Sequence, residues 1–319
     1  MFLGEYKPEG GIIGSAANRA YTCNEAGLEK AMNEGIILEA MAVRCDEQMR
    51  LSVDLGSVCG IIEHDEAVYT PDRDKVRDIA VLTRVGKAVC FKVKRLARED
   101  GKTVAYLSRR DAQLECTNEF LSRLVPGDII DAKITHLESF GAFVDIGCGI
   151  ISLLTIDCIS VSRISHPRDR FKVGDRIRVV IRSIEPETGR IFVSRKELLG
   201  TWEENASLFK IGQTVAGIVR SIESYGIFVE LTPNLAGLAE CREDISVGQI
   251  AAVYIKNIIP EKMKLKLVLI DSYRGELEPK QYETSFDKGE NHIDSWIYSP
   301  NGSQRVIESI FRQESAETI

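Results

Sequence analysis

Between residues 34 and 272 the chain is built of short runs in which β-branched and aromatic residues alternate with polar ones, bounded by Gly, Asp and Asn. A period of two predicts strands, and the runs are too short and turn-rich for helical bundles. The runs recur in blocks. PGDIIDAKITHLESFGAFVDIG at 126–147 returns as IGQTVAGIVRSIESYGIFVELT at 211–232, with Gly127 and Gly212, Phe140 and Tyr225, Gly141 and Gly226, and Phe143 and Phe228 each 85 positions apart. Each block continues into a Gly-containing apolar strand and then a Gly-led strand pair. A weaker copy, EGIILEAMAVRCDEQMRLSVDLG at 34–56, has the same order of parts but lacks the FGxF pattern. Five short strands per copy suit a small closed barrel, because an open five-stranded sheet leaves edges that closure removes.

Helical spacing appears only between and outside the copies. DAQLECTNEFLSRL at 111–124 and KELLGTWEENASLFK at 196–210 predict short amphipathic connectors. TCNEAGLEKAMNEG at 22–35 predicts a helix capped by Thr22 with Glu25 three positions on and stopped by Gly35. SQRVIESIFRQ at 303–313 places Val306, Ile307, Ile310 and Phe311 at helical spacing and predicts a helix in the tail. The expected organisation is an N-terminal arm and helix (1–33), a degenerate barrel (34–115), a helical linker (116–125), a barrel with FGAF (126–198), a second linker (199–210), a barrel with YGIF (211–272) and an acidic tail (273–319). The expected fold is therefore mainly β, with three consecutive five-stranded barrels joined by short helices and a short C-terminal helical tail.

Composition narrows the class. In 319 residues, 44% hydrophobic and 28% charged positions are those of an ordinary globular protein, and 25 Gly with 9 Pro exclude fibrous or low-complexity chains. IILEAMAV at 36–43 is far short of the roughly 20 residues a spanning helix needs, so no membrane partner is expected. The first residues lack the order of a secretion signal, which points to the cytoplasm. Eight cysteines with no CxxC pair are read as reduced core thiols, several of them in apolar strands. The four histidines have no metal-ligand spacing, and there is no GxxxxGK[ST], GxSxG or HExxH. No catalytic constellation emerges, so neither enzyme activity, metal nor cofactor is expected.

The net charge of −7 argues against a wholly basic duplex binder. Its distribution changes that picture. The tail from 273 holds 5 basic against 9 acidic residues, whereas the middle copy (124–199) has 11 against 10 and the last (210–272) 7 against 7. Bases cluster within the copies, at Arg176, Arg178, Arg182, Arg190, Arg195 and Lys196, and at Lys256, Lys262, Lys264 and Lys266. Such clusters suit a phosphate-tracking groove or an ordinary solvated strand face.

Two aromatic pairs are the candidate chemistry. Phe140 with Phe143, and Tyr225 with Phe228, form stacking platforms for unpaired bases if both rings of a pair reach one face. Odd spacing puts them on opposite faces of a regular strand, so a bulge at Gly141 is expected. The alternative is that Phe143 and Phe228 fill cores. His136, beside the aromatic turn, is a base-stacking or phosphate candidate or a solvated turn residue. Lys133 and Arg182 are weaker phosphate candidates.

FGAFVDIG at 140–147, the Gly-led strand after it and VGDRIRVVIRSIEPETGRIFVSRKELLG at 173–200 resemble the S1 repeat of bacterial ribosomal proteins, and YGIFVELTPNLAGLAE at 225–240 is similar to it as well. The wording RKELLGTWEEN resembles members from low-GC Gram-positive bacteria. The resemblance covers 34–272. It implies OB-fold barrels that hold single-stranded RNA, chiefly mRNA near the small ribosomal subunit, with Arg190 and Arg195 in the region of the basic RNA contacts. A family histidine in the third strand aligns with Thr155, Glu240 and Glu63 here, and an acid on a phosphate-facing surface repels RNA. In the first copy Met49 and Leu51 or their neighbours replace the aromatic pair, which implies a docking module for the small subunit. The expected function is RNA binding in translation, with a protein-interaction scaffold of weak RNA affinity as the alternative.

Overall fold

In the computed structural model, residues 6–70, 76–275 and 290–312 are described. Helices α1 (Ala16–Thr22) and α2 (Glu25–Glu34) come first. Thr22 ends α1, and the cap of α2 is Asn24, whose side chain accepts from Gly27 N at 2.8 Å. The expected cap thus moves two residues: Asn is as good a cap as Thr, and Thr22 is occupied donating to the Asn18 carbonyl. Gly35 stops α2 at φ 68°.

Three five-stranded sheets follow, each closing into a barrel. The first has strands β1 (Leu38–Cys45), β2 (Leu51–Leu55) and β3 (Val58–Ile62), then a short α3 (Asp78–Leu82), β4 (Ala88–Glu99) and β5 (Lys102–Ser108). The helix α4 (Arg109–Glu119) starts directly at the end of β5, earlier than the linker bounds suggest. The second sheet holds β6 (Ile129–Glu138), β7 (Gly141–Asp145), β8 (Ile151–Thr155), β9 (Arg176–Ile184) and β10 (Ile191–Ser194). After α5 (Trp202–Ser207), the third holds β11 (Thr214–Glu223), β12 (Gly226–Thr232), β13 (Leu235–Ala239), β14 (Ile250–Ile259) and β15 (Lys264–Tyr273). The first and third run β1-β2-β3-β5-β4 and β11-β12-β13-β15-β14, with a parallel pairing between their third and fifth strands. The second has the same neighbours, β9-β6-β7-β8-β10, and the parallel pair is β8 with β10.

The tail corrects the expectation of a helix. Glu308–Ile310 is a strand, β17, paired antiparallel with β16 (Ser295–Ile297); Gln313 lies outside the described residues. Val306, Ile307 and Ile310 are β-branched and lose little on entering a strand, and β16 offers an open edge, so tertiary pairing overrides the helical spacing.

The chain divides into two compact units, one of residues up to Leu124 with Asp131–Lys133 and Asp145–Ile151, the other of Val125–Ile130, Ile134–Val144 and Ser152 onward. In the first unit Leu28, Leu38, Leu51, Ile62, Phe91 and Leu107 form a core. Beside it lies a buried polar cluster. Glu9 Oε1 accepts from Arg109 Nε at 2.6 Å and from Cys90 N at 3.1 Å, and Glu9 N donates to Asp145 Oδ2 at 2.7 Å. Asp145 also accepts from the backbone of Gly147 and Gly149, and a Cβ on Gly149 would sit 2.0 Å from the Arg109 guanidinium. Burial pushes Glu9 up, but Arg109 and Arg84 outweigh it and hold its carboxyl below the usual range. Burial, with the charge of Glu9, pushes Asp145 up to about 7.

In the second unit the core runs through Leu198, Trp202, Val229, Val253 and Leu267 and takes in Ile293, Trp296, Tyr298 and Phe311 from the tail. The Tyr298 hydroxyl donates to the Asn234 carbonyl at 2.5 Å, and Trp202 N donates to the Tyr298 carbonyl at 2.9 Å. The described part of the tail therefore docks on its own chain. No disulfide forms: Cys90, Cys116, Cys148 and Cys158 are buried thiols, while Cys23, Cys59 and Cys241 are exposed, which corrects the picture of mainly core thiols. Among the described residues no helix is long and apolar enough to cross a membrane.

Candidate nucleic-acid interface

The two ring pairs have the same geometry. Phe140 and Phe143 meet edge to face, centroids 6.0 Å apart at 90°, and Tyr225 and Phe228 at 6.1 Å and 89°. Phe140 is 53% and Tyr225 68% exposed, and Phe143 and Phe228 are half-buried, whereas their strand neighbours Ala142, Val144, Ile227 and Val229 are in the cores. The rings therefore lie on the outer face, and the core-filling alternative fails.

In the third barrel no bulge at Gly226, the counterpart of Gly141, brings them together. In the third barrel β12 pairs in register from Gly226 opposite Glu223 to Phe228 opposite Ser221, and the irregularity lies on β11 between Val219 and Ser221. Phe140 sits in the turn ahead of β7, and Tyr225 likewise precedes β12, so the strand's face alternation does not bind them. The glycines serve close approach: a Cβ on Gly141 would lie 2.5 Å from the Leu154 carbonyl oxygen, and one on Gly226, at φ 155°, 2.6 Å from that of Ala239.

Cross-strand pairing extends each platform. Phe228 faces Leu238, which faces Lys266 on β15, and Lys266 faces Asn257. In the middle barrel Leu153 faces Phe192 on β10, so Phe192, half-buried, occupies the place held by Lys266 in the third. In the first barrel the row is Arg44, Ser52, Ile61, Tyr106 and Arg95, with the Arg95 guanidinium 3.4 Å from the Tyr106 ring centre. Ser52, not Leu51, is the outward residue there; Leu51 is fully buried and Met49 is in a turn at φ 58°, so neither replaces the missing rings. Phe192 and Tyr106 were not among the sequence candidates; the alternation around RIFVS and VAYLS was the signal that could have found them.

His136 belongs to the platform. Its ring stacks on Phe143, centroids 6.2 Å apart at 30°, and Nε2 lies 2.6 Å from Glu138 Oε1. Arg190 is exposed in the hairpin before β10. Arg195 is half-buried with its guanidinium 5.2 Å from the Phe171 ring, so its charge already has an aromatic face. Arg182 donates to Cys158 Sγ at 3.0 Å. Lys133 is in the other unit, where Nζ donates to the Glu9 carbonyl at 2.7 Å, and is engaged by the N-terminal arm. Lys256 is exposed on β14, and Lys262 shares a cleft with Phe228. Glu63, Thr155 and Glu240 all stand at the end of a third strand, as the copies' alignment requires.

The family profile described as the S1 RNA binding domain matches residues 124–196. The small ribosomal subunit protein bS1 homolog of Bacillus cereus is 27% identical over 230 residues, 70% of this chain and 58% of that protein. The bS1 protein of Staphylococcus aureus is 32% identical over 175 residues, 53% of this chain and 44% of that one, and the bS1 homolog of Bacillus subtilis 31% over 199 residues, 60% and 50%. The chain is thus similar to the S1 RNA binding domain over one stretch and to bS1 proteins over a longer one. It spans about half the length of the curated relatives it matches. The stretch that matches the S1 RNA binding domain contains the FGAF platform, His136, Phe192, Arg190 and Arg195.

Proposed function

We propose that this chain is a member of the S1 family, that it binds single-stranded RNA through its second and third barrels, and that it acts on mRNA at the small ribosomal subunit, in the cytoplasm and without chemistry of its own. The observation that carries this reading is the repetition of one edge-to-face ring pair, outward and half-exposed, in two barrels 85 residues apart. Rings on an outer face offer π-surfaces that any unpaired base can stack on, and nearby bases neutralise phosphates. Phe140, Phe143, Phe192 and His136 would hold bases in the middle barrel, with Arg190 as the phosphate contact; Tyr225, Phe228 and Lys262 would do so in the third. Among the described residues the strands of the first barrel carry one outward aromatic, Tyr106, and no ring pair, and this barrel is the part we assign to docking. Exposed Met41, Val43, Ile79 and Leu82 on that unit support this role.

The test is competition. A labelled unstructured RNA bound to the full chain at 50 mM salt should be displaced by unlabelled single strand and poorly by duplex of the same sequence, and the affinity should fall steeply as salt rises. Equal displacement by duplex would reject stacking as the mode of binding.

A further inference from the structure

The third barrel carries a cleft of about 430 Å³, within the range of small-ligand sites at roughly 300–1,000 Å³. Its lining combines Phe228 of β12 and Lys262 and Lys264 from the β14–β15 connection with Gln304 and Arg305, which belong to the segment joining β16 to β17. The tail thus supplies part of the wall around a barrel ring. That segment is held in place: Tyr298 N donates to the Ile307 carbonyl at 2.9 Å, Ile307 N to Ser299 Oγ at 2.8 Å, and Tyr298 is buried. Three cations face one carboxylate, Glu261, in this cleft, and among the described residues none of the three pairs with a carboxylate.

We propose that the cleft receives one nucleotide of a single strand and that the tail, through Arg305 and Gln304, is a working wall of the third barrel's site. The proposal rests on the RNA reading above and adds to it a contact from outside the barrel. A ring, an excess of positive charge and a free amide select an aromatic ligand that carries an anion and a polar edge, which is the chemistry of a nucleotide. Phe228 takes the base face, Lys262, Lys264 and Arg305 the phosphate, and the Gln304 amide, donor and acceptor at once, a base edge. The wall also answers two deficits of this barrel, the acid Glu240 at the end of its third strand and Lys266 where the middle barrel has Phe192.

The experiment uses the full chain carrying Phe140→Ala and Phe143→Ala, so that the third barrel dominates, and labelled oligo(A), oligo(C) and oligo(U) strands across a salt series. Arg305→Ala in that background should weaken all three by at least about threefold and reduce the salt slope by about one, as a lost phosphate contact does. Gln304→Ala should leave the slope and shrink the ratio between the best and worst strand. Both side chains are exposed, so folding is spared. If Arg305→Ala matches its background in affinity and slope while Phe228→Ala still weakens binding, the tail wall is wrong and the RNA reading stands. If the background protein binds no RNA although the unmutated chain does, the cleft is not a site. If the unmutated chain binds none, both readings fall together.

Discussion

Phe143 reaches the outer face as an ordinary strand position, between buried Ala142 and Val144, whereas Phe140 reaches it from the turn before the strand. That difference matters for substitution. Removing either ring should weaken single-strand binding by about 1–3 kcal/mol per lost stack without loss of fold, measured by anisotropy beside a thermal melt. Gly141→Ala should do the reverse. Its Cβ would press on the Leu154 carbonyl oxygen at 2.5 Å, which backbone cannot yield cheaply, so a loss of about 1–3 kcal/mol in urea unfolding is expected. Full stability in that variant would show that the strands part more easily than the pairing suggests. The rings were legible in the sequence because a repeat exposes what is kept at one spacing. Phe192 was not, since it lies 49 residues beyond Phe143 and joins the platform only through the parallel pairing of β8 and β10. Lys133 and Arg195 were legible as bases, but their partners were not; nothing in a strand's alternation says that a carbonyl from residue 9 or the ring of Phe171 awaits them.

Among the elements, the N-terminal arm is held by charge rather than by strand pairing. Arg109, first residue of α4, meets Glu9 across 100 positions, and removing it leaves a carboxylate buried without its partner. Arg109→Ala should cost about 3–5 kcal/mol in urea unfolding, and a cost under about 1 kcal/mol would mean that water or a shifted Arg84 replaces it. Asp145 adds a pH dependence. Its carboxyl is pushed from 3.8 to about 7, so over that interval the folded chain holds a proton that the unfolded chain has released, and its contribution to stability is full at low pH and lost as pH rises through 7. Glu9, held low by Arg109, stays ionised across the upper part of this window and does not reverse the sign. The stability of the native chain minus that of Asp145→Asn should therefore rise as pH falls from 7.5 to 5; a constant value contradicts the assignment. Strand periodicity made the barrel elements readable, as the FGAF and YGIF copies illustrate. The tail strand was not readable, because Val306, Ile307, Ile310 and Phe311 fit a helical face equally well, and only the edge offered by Ser295–Ile297 decides between the two.

At the scale of the molecule, the excess acidity lies outside the barrels, and the outer faces carry bases beside rings. The tail, acidic overall, nevertheless contributes Trp296 and Phe311 to the core and turns Arg305 toward the third barrel's cleft, so its net charge was a poor guide to its role. The central claim is that two barrels bind unpaired bases with equivalent ring pairs. The most direct measurement is the affinity of one fluorescent single-stranded RNA for the full chain, for Phe140→Ala with Phe143→Ala, for Tyr225→Ala with Phe228→Ala, and for all four together. Binding should weaken in each pair and drop further in the fourfold variant, down to a residual that salt abolishes. A fourfold variant that binds as tightly as the native chain would contradict it.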